Sequence, residues 1–178
     1  MTINDLKVDA QLMTGTVIQD NTALAYVNKG IEELVKKYPN AATLKETSVE
    51  ITDTEEYYDI PADILKIESV IDSYENRLRS KYYVFEDDTI RIDFEGNYTI
   101  KYREYPAKQT KTDENIPIPR VYQSPLANYI AYRESLKLYG VSYPDTQSHL
   151  ATFWAMEQEA NTNYRKKKPR IIKAYYND

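Results

Sequence analysis

The chain has 178 residues, 42% hydrophobic and 29% charged, which allows one domain with a real core and excludes a disordered chain or a coiled coil. It has no apolar run of transmembrane length, no basic or apolar leader in the opening MTINDLKVDAQ, and no cysteine for disulfides or thiolate metal sites. The net charge of −5 hides an asymmetry: Arg165, Lys166, Lys167, Lys168, Arg170 and Lys173 put six positive charges into nine residues, and without residues 165–178 the remaining 17 basic and 27 acidic residues leave −10.

Residues 1–20 are polar with scattered apolar positions, as in an extended arm or a short helix near Leu6–Met13. Thr22 or Asn21 can cap the next helix, where Leu24, Val27, Ile31, Leu34, Val35 and Tyr38 fall on one face. Pro39 stops it, because the residue before a proline avoids the α region. Gly30 inside this helix costs about 1 kcal/mol relative to alanine, and close backbone packing against a neighbour is one explanation.

From Thr47 the period changes to alternation. Val49 and Ile51 begin a strand, Asp53-Thr54-Glu55 reads as a turn, and Glu56–Ile60 reads as the returning partner. Pro61–Ile64 reads as a single helical turn before a strand through Ile67, Val70 and Ile71. After a polar loop at 74–80, Tyr82–Phe85 and Ile90–Phe94 form a hairpin around Glu86-Asp87-Asp88. Gly96 serves the next turn, and Tyr98, Ile100, Tyr102 and Tyr105 alternate in a last strand closed by Pro106. The turn-linked order predicts an antiparallel meander.

Residues 107–118 read as an exposed polar loop, and Ile116-Pro117-Ile118-Pro119 as a stiff extended lead-in. A helix from Pro119 or Ser124 to Tyr139 carries Leu126, Tyr129, Ile130, Arg133, Leu136 and Lys137 on one stripe and ends at Gly140. Asp145 can cap a third helix with Leu150, Phe153, Trp154, Glu157, Ala160, Asn161 and Tyr164 on one side. Pro169 breaks any continuation, so residues 165–178 read as a tail. The fold class is therefore α+β: a helical bundle body (20–40 and 119–164) with an inserted antiparallel β-meander lobe (about 46–106) in one domain over 1–164, then an extended basic C-terminal tail.

No residue cluster points to catalysis or to a cofactor. The single histidine, His149, has no partners at triad or metal spacing and falls on the exposed side of its helix. Asp87, Asp88 and Asp93 could recruit a cation, but lack the order of a calcium-binding hand. The four glycines form no phosphate-cradling motif. Eighteen tyrosines against three phenylalanines fit surfaces that join soluble subunits somewhat better than the alternatives of plain strand propensity or lineage bias. In the tail, Ile171, Ile172, Tyr175 and Tyr176 add apolar anchors to the basic run, as in a segment that orders on an acidic partner.

The segments ALAYVNKGIEELVKKYP (23–39), YYDIPADILKIESV (57–70), YTIKYREYP (98–106) and IPIPRVYQSPLANYIAYRESLKLYG (116–140) resemble the head-tail connector proteins of tailed double-stranded-DNA bacteriophages, also called adaptor or head-completion proteins. Tyr58, Ile60, Pro61, Asp63, Ile64, Leu65 and Ile67 follow that family's Y-x-(L/I)-P-x-D-(F/I/L)-(L/I)-x-(I/V) pattern. Ile118, Pro119, Tyr122 and Leu126 follow its (I/L)-P-x-x-Y-x-x-x-L lead-in to the later helix. The resemblance implies a structural virion protein with no catalytic residues and no cofactor. It implies a ring of about twelve copies beneath the portal protein that extends the DNA channel. Genomic DNA passes without sequence-specific binding, and a tail or stopper protein docks below.

On that reading the portal-docking tail is Arg165, Lys166, Lys167, Lys168, Arg170, Ile171, Ile172, Tyr175 and Tyr176. The β-lobe partner contacts are Tyr82, Tyr83, Asp87 and Asp88. An excess of acidic residues across 46–104 suits a channel rim that repels DNA. The alternative is a monomeric binding module whose tyrosine-rich β-surface holds a carbohydrate or peptide.

Overall fold

The computed structural model describes residues 1–61 and 63–164 in full and the helical backbone of 165–167. The first helix, α1 (Ile3–Thr14), is fixed by a reciprocal cap. The Thr2 hydroxyl accepts from the Asp5 amide at 3.2 Å, and the Thr2 amide donates to the Asp5 carboxylate at 2.7 Å. It buries Ile3, Leu6 and Ala10 and ends at Gly15, whose φ of +67° suits a residue without Cβ. The N-terminal segment is thus a full helix and not an arm.

α2 (Asp20–Lys37) starts just ahead of the expected Asn21 or Thr22 cap. Gln19 takes the cap position without a side-chain bond, and Asp20 accepts from Lys7 of α1 at 2.6 Å. Its buried face carries Ala23, Val27, Ile31, Leu34 and Val35, close to the face read from the sequence. Gly30 is buried there because α3 (Leu126–Tyr139) crosses at that point. A Cβ on Gly30 would lie 2.9 Å from Tyr129 Cδ1 and 3.0 Å from Leu126 Cδ2.

α3 is the central helix. Leu126 through Ala131 are all buried, so its first two turns have no wet face. The expected stripe with Arg133 and Lys137 is correspondingly too narrow, since the buried polar residues are instead Asn128, Glu134 and Ser135. Gly140, with φ +82°, ends it. α4 (Pro144–Lys167) begins one residue before the expected Asp145 cap, because proline fits the first helical position. Phe153, Glu157, Ala160 and Asn161 are buried and Leu150, Trp154 and Tyr164 half-buried, the face anticipated from spacing. The helix runs to Lys167, so Arg165, Lys166 and Lys167 belong to its last turn and not to an extended tail.

Between α2 and α3 lie six strands in two antiparallel sheets. The larger has β1 (Thr43–Ile51), β6 (Gly96–Glu104) and β3 (Ile64–Asp72) in the order β1-β6-β3. The smaller has β2 (Tyr58–Asp59), β5 (Thr89–Ile92) and β4 (Tyr83–Glu86) in the order β2-β5-β4. The β4–β5 hairpin and the antiparallel sense are as expected. The connectivity is richer than a sequential meander, because β6 returns to the middle of the larger sheet. The predicted pairing of Glu56–Ile60 with Val49–Ile51 does not occur: β1 pairs along its whole length with β6, and Tyr58-Asp59 joins β5. Of the expected helical turn at Pro61–Ile64, Ala62 lies outside the described residues, Asp63 sits at φ +68° and Ile64 already pairs with Glu104 in β3.

Two apolar clusters follow. One gathers α1, α2, α3, α4 and the 116–122 lead-in, with Tyr122, Tyr129 and Phe153 as its largest buried side chains. The other lies between the two sheets, with Ile51, Val70, Ile90, Ile92, Tyr98, Ile100 and Tyr102. Arg103 joins them. Almost fully buried, it donates to the Ala42 carbonyl at 2.8 Å and pairs with Glu68 at 3.3 Å. The 107–118 loop is strapped to the helices and not free. Asn28 and Gln109 exchange two bonds of 2.9 and 2.8 Å, and the Gln123 amide donates to the Ile116 and Ile118 carbonyls.

Candidate assembly surfaces

The polar surface divides by sheet. On the larger sheet Glu50 and Asp72 take part in no ion pair among the described residues, but three acids are matched: Glu104 with Lys45 at 2.8 Å, Glu46 with Lys101 at 3.7 Å, and Glu68 with Arg103. On the smaller sheet the acids are not matched. Asp59, Glu86, Asp87, Asp88 and Asp93 take part in no ion pair among the described residues. The hairpin turn therefore presents negative charge at one end of the lobe, while Lys81 and Arg91 stand elsewhere on it, likewise in no ion pair among the described residues. Asp87 and Asp88 form the two-residue hairpin turn, both exposed, with Asp87 at φ +49°. The Asp88 carbonyl accepts from the Ile60 amide at 2.9 Å, which ties the hairpin to β2.

Tyr82 and Tyr83 behave differently from those two acids. Tyr82 is half-buried, edge-on to Phe94 with centroids 5.2 Å apart, and the Lys81 ammonium lies 4.5 Å from its ring centre. Tyr83 packs partly against the lobe core. The exposed apolar groups beside them are Val84, Phe85, Phe94 and Tyr57, which sequence reasoning did not select. A strand pattern marks alternation but not which strand lacks a second neighbour, so their exposure had no signal in the sequence. A shallow hollow in the lobe brings Phe85, Asp87 and Asp88 together with Asp63, Ile64 and Tyr105.

A second surface lies where the α1–α2 and α3–α4 turns meet. α2 runs antiparallel to α3, as the contacts Tyr26–Glu134 and Gly30–Tyr129 show, so both turns sit at the end of the bundle away from the β-lobe. That end exposes Leu12 (79%) and Val17 (80%), with Tyr139, Val141 and Tyr143 on the other turn. Both turns are pinned. Gln11 accepts from the Ile18 amide at 2.9 Å, and Gln147 donates to the Val141 carbonyl at 2.7 Å.

Of the expected tail, Lys168, Arg170, Ile171, Ile172, Tyr175 and Tyr176 lie outside the described residues, and Arg165, Lys166 and Lys167 end α4. Tyrosine serves the interior as much as the surface: Tyr122 and Tyr129 are fully buried. The Tyr129 hydroxyl donates to Glu33 at 2.8 Å, and burial followed by that carboxylate pushes its pKa up. His149 is half-buried on α4, and no cluster able to hold a metal surrounds it among the described residues. No helix among those residues is long and apolar enough to cross a membrane.

The most unusual ionisable group is Glu157. Its side chain is completely buried and neither oxygen has a hydrogen-bond partner. Desolvation pushes its pKa up to about 8, partly offset by the positive charge of Lys37. The Lys37 ammonium rests 3.8 Å from the ring centre of Trp154, one helical turn away on α4.

A search of curated proteins finds no match to the chain. A family model described as SU10 adaptor protein matches residues 1–170, nearly the whole chain. The chain therefore belongs to the SU10 adaptor family of phage head-tail adaptors, and is a structural component of the phage virion.

Proposed function

We propose that copies of this chain close into a ring of about twelve beneath the portal, extend the DNA channel and offer the surface on which a tail or stopper protein assembles. The observation that carries this reading is the pairing of adaptor family membership with two chemically distinct exposed ends, an acidic β-lobe and a turn surface rich in exposed apolar side chains. A subunit that mates two different neighbours and its own copies needs unlike faces. The basic segment 165–178 grips the portal, and the lobe around Tyr82, Tyr83, Asp87 and Asp88 meets the tail-side component. DNA passes the acidic rim without being held, because like charge repels it. One body, with the helices over 1–42 and 107–164 and the lobe over 43–106, serves as the unit of assembly.

The test is a chain truncated after Tyr164. It is expected to fold with full-length stability and fail to join portal-bearing heads that lack the adaptor. Normal joining by the truncated chain would contradict the gripping role.

A further inference from the structure

β4 is an edge. In the smaller sheet it pairs with β5 alone, and among the described residues no backbone bond reaches its outer side. Folded proteins guard such edges with lysine, proline or a bulge. β1, the open edge of the larger sheet, carries Lys45, Glu46 and Glu50. β4 reads YVFE, and its register with β5 is unbroken. Val84 and Phe85 point to opposite faces of the strand, yet are 40% and 37% exposed. An apolar edge wet on both sides is a template for another strand.

The charges around it set the sign of that strand. Glu86, Asp87 and Asp88 follow directly and Asp63 shares the hollow with Phe85, so the turn end of β4 is acidic, while Lys81 precedes the strand and Arg91 lies opposite Val84 on β5. The open edges of a second copy are mixed in charge, Lys45 with Glu46 and Glu50 on β1 and Asp59 on β2, and so match an acidic turn less well than a basic segment does. We propose that β4 receives an extended, basic and apolar segment of a different virion protein, which adds as a strand along Tyr83–Glu86 and sets lysine or arginine against Asp63, Asp87 and Asp88. The inference rests on the adaptor reading and supplies the chemistry of its tail-side partner. Main-chain bonds hold the segment, Val84 and Phe85 seat its apolar side chains, and the carboxylates select its charge.

Full-length protein is titrated by fluorescence anisotropy with three probes: an octapeptide alternating lysine with isoleucine and tyrosine, its glutamate counterpart, and a peptide of residues 165–178. The lysine peptide is expected to bind at least about tenfold more tightly than the glutamate peptide. N-methylation of alternate amides removes the ladder donors and abolishes binding. The double variant Asp87→Asn/Asp88→Asn erases the preference; asparagine tolerates φ +49°, so the hairpin persists. Unchanged binding after N-methylation, or in that variant, overturns the inference. Tighter binding by the 165–178 peptide overturns the assignment to a different protein. On adaptor-deficient heads the variant is expected to load normally while tail capture falls at least about tenfold. Normal tail capture sinks the inference and spares the ring, whereas failure of the wild-type protein to load counts against the ring reading itself.

Discussion

Replacing Glu157 by glutamine removes a carboxyl group from an apolar site while keeping its shape. The ordinary glutamate value is 4.5, and burial raises Glu157 to about 8. Between those values the folded chain holds a proton that the unfolded chain has lost. Stability therefore falls as pH rises across that window, by up to about 1.4 kcal/mol per pH unit. From pH 5 to pH 8 the loss approaches about 4 kcal/mol, a large share of the roughly 5–15 kcal/mol that holds a domain together. Below the window both states are protonated and the contribution is constant. Glu157→Gln has no charge to desolvate, so its stability relative to wild type should climb steadily from pH 5 to pH 8. Urea denaturation of both proteins at unit pH steps reads the difference directly, and subtraction cancels every other titrating group. A constant difference across the series would refute the argument. So would a variant several kcal/mol less stable at every pH, which would mean that the carboxylate has a partner.

Gly30→Ala sets a methyl group 2.9 Å from the ring of Tyr129, whose hydroxyl is tied to Glu33. Overpacking of about 2 kcal/mol less about 1 kcal/mol of helix propensity leaves a net loss of about 1 kcal/mol, read as a lower urea midpoint at unchanged slope. A more stable variant would show that the α2–α3 crossing relaxes freely. Arg103→Met strands the Ala42 carbonyl, leaves Glu68 with only the longer 3.8 Å pair to Lys66, and is expected to cost about 2 kcal/mol, with faster amide exchange concentrated in β3 and β6. Uniform acceleration across the helices would count against a joint at Arg103. Phe153→Ala opens a cavity beside Tyr129, whose ring centre lies 5.0 Å away, and is expected to lower stability by about 3–5 kcal/mol in thermal or urea unfolding.

The helices were the legible part of this chain. The α4 face from Leu150 to Tyr164 follows from spacing alone, because one helix burying one stripe on a fixed neighbour obeys a single period. α3 was misjudged for the opposite reason: packed by α1, α2 and α4, it buries residues all round its first turns, and no stripe exists to read. Strand positions were legible and strand partners were not. Val49–Ile51 and Tyr98–Tyr102 both alternate, but nothing local records that they meet each other across 46 intervening residues that include both hairpin strands. The assembly surfaces share that limit. Asp87 and Asp88 declare a turn, and so were found, whereas Val84 and Phe85 look like core strand residues until the missing neighbour beyond β4 is seen. Glu157 sat on the correctly assigned inner face of α4, and a carboxylate on a buried stripe was itself the available signal.

The most direct test of the assembly claim is electron cryo-microscopy of the head–tail junction in particles that carry this protein. A closed ring of copies is predicted between portal and tail component, with segment 165–178 on the portal and β4 facing the tail side. Particles in which the chain is absent from that junction, or present as an isolated single copy, would contradict it.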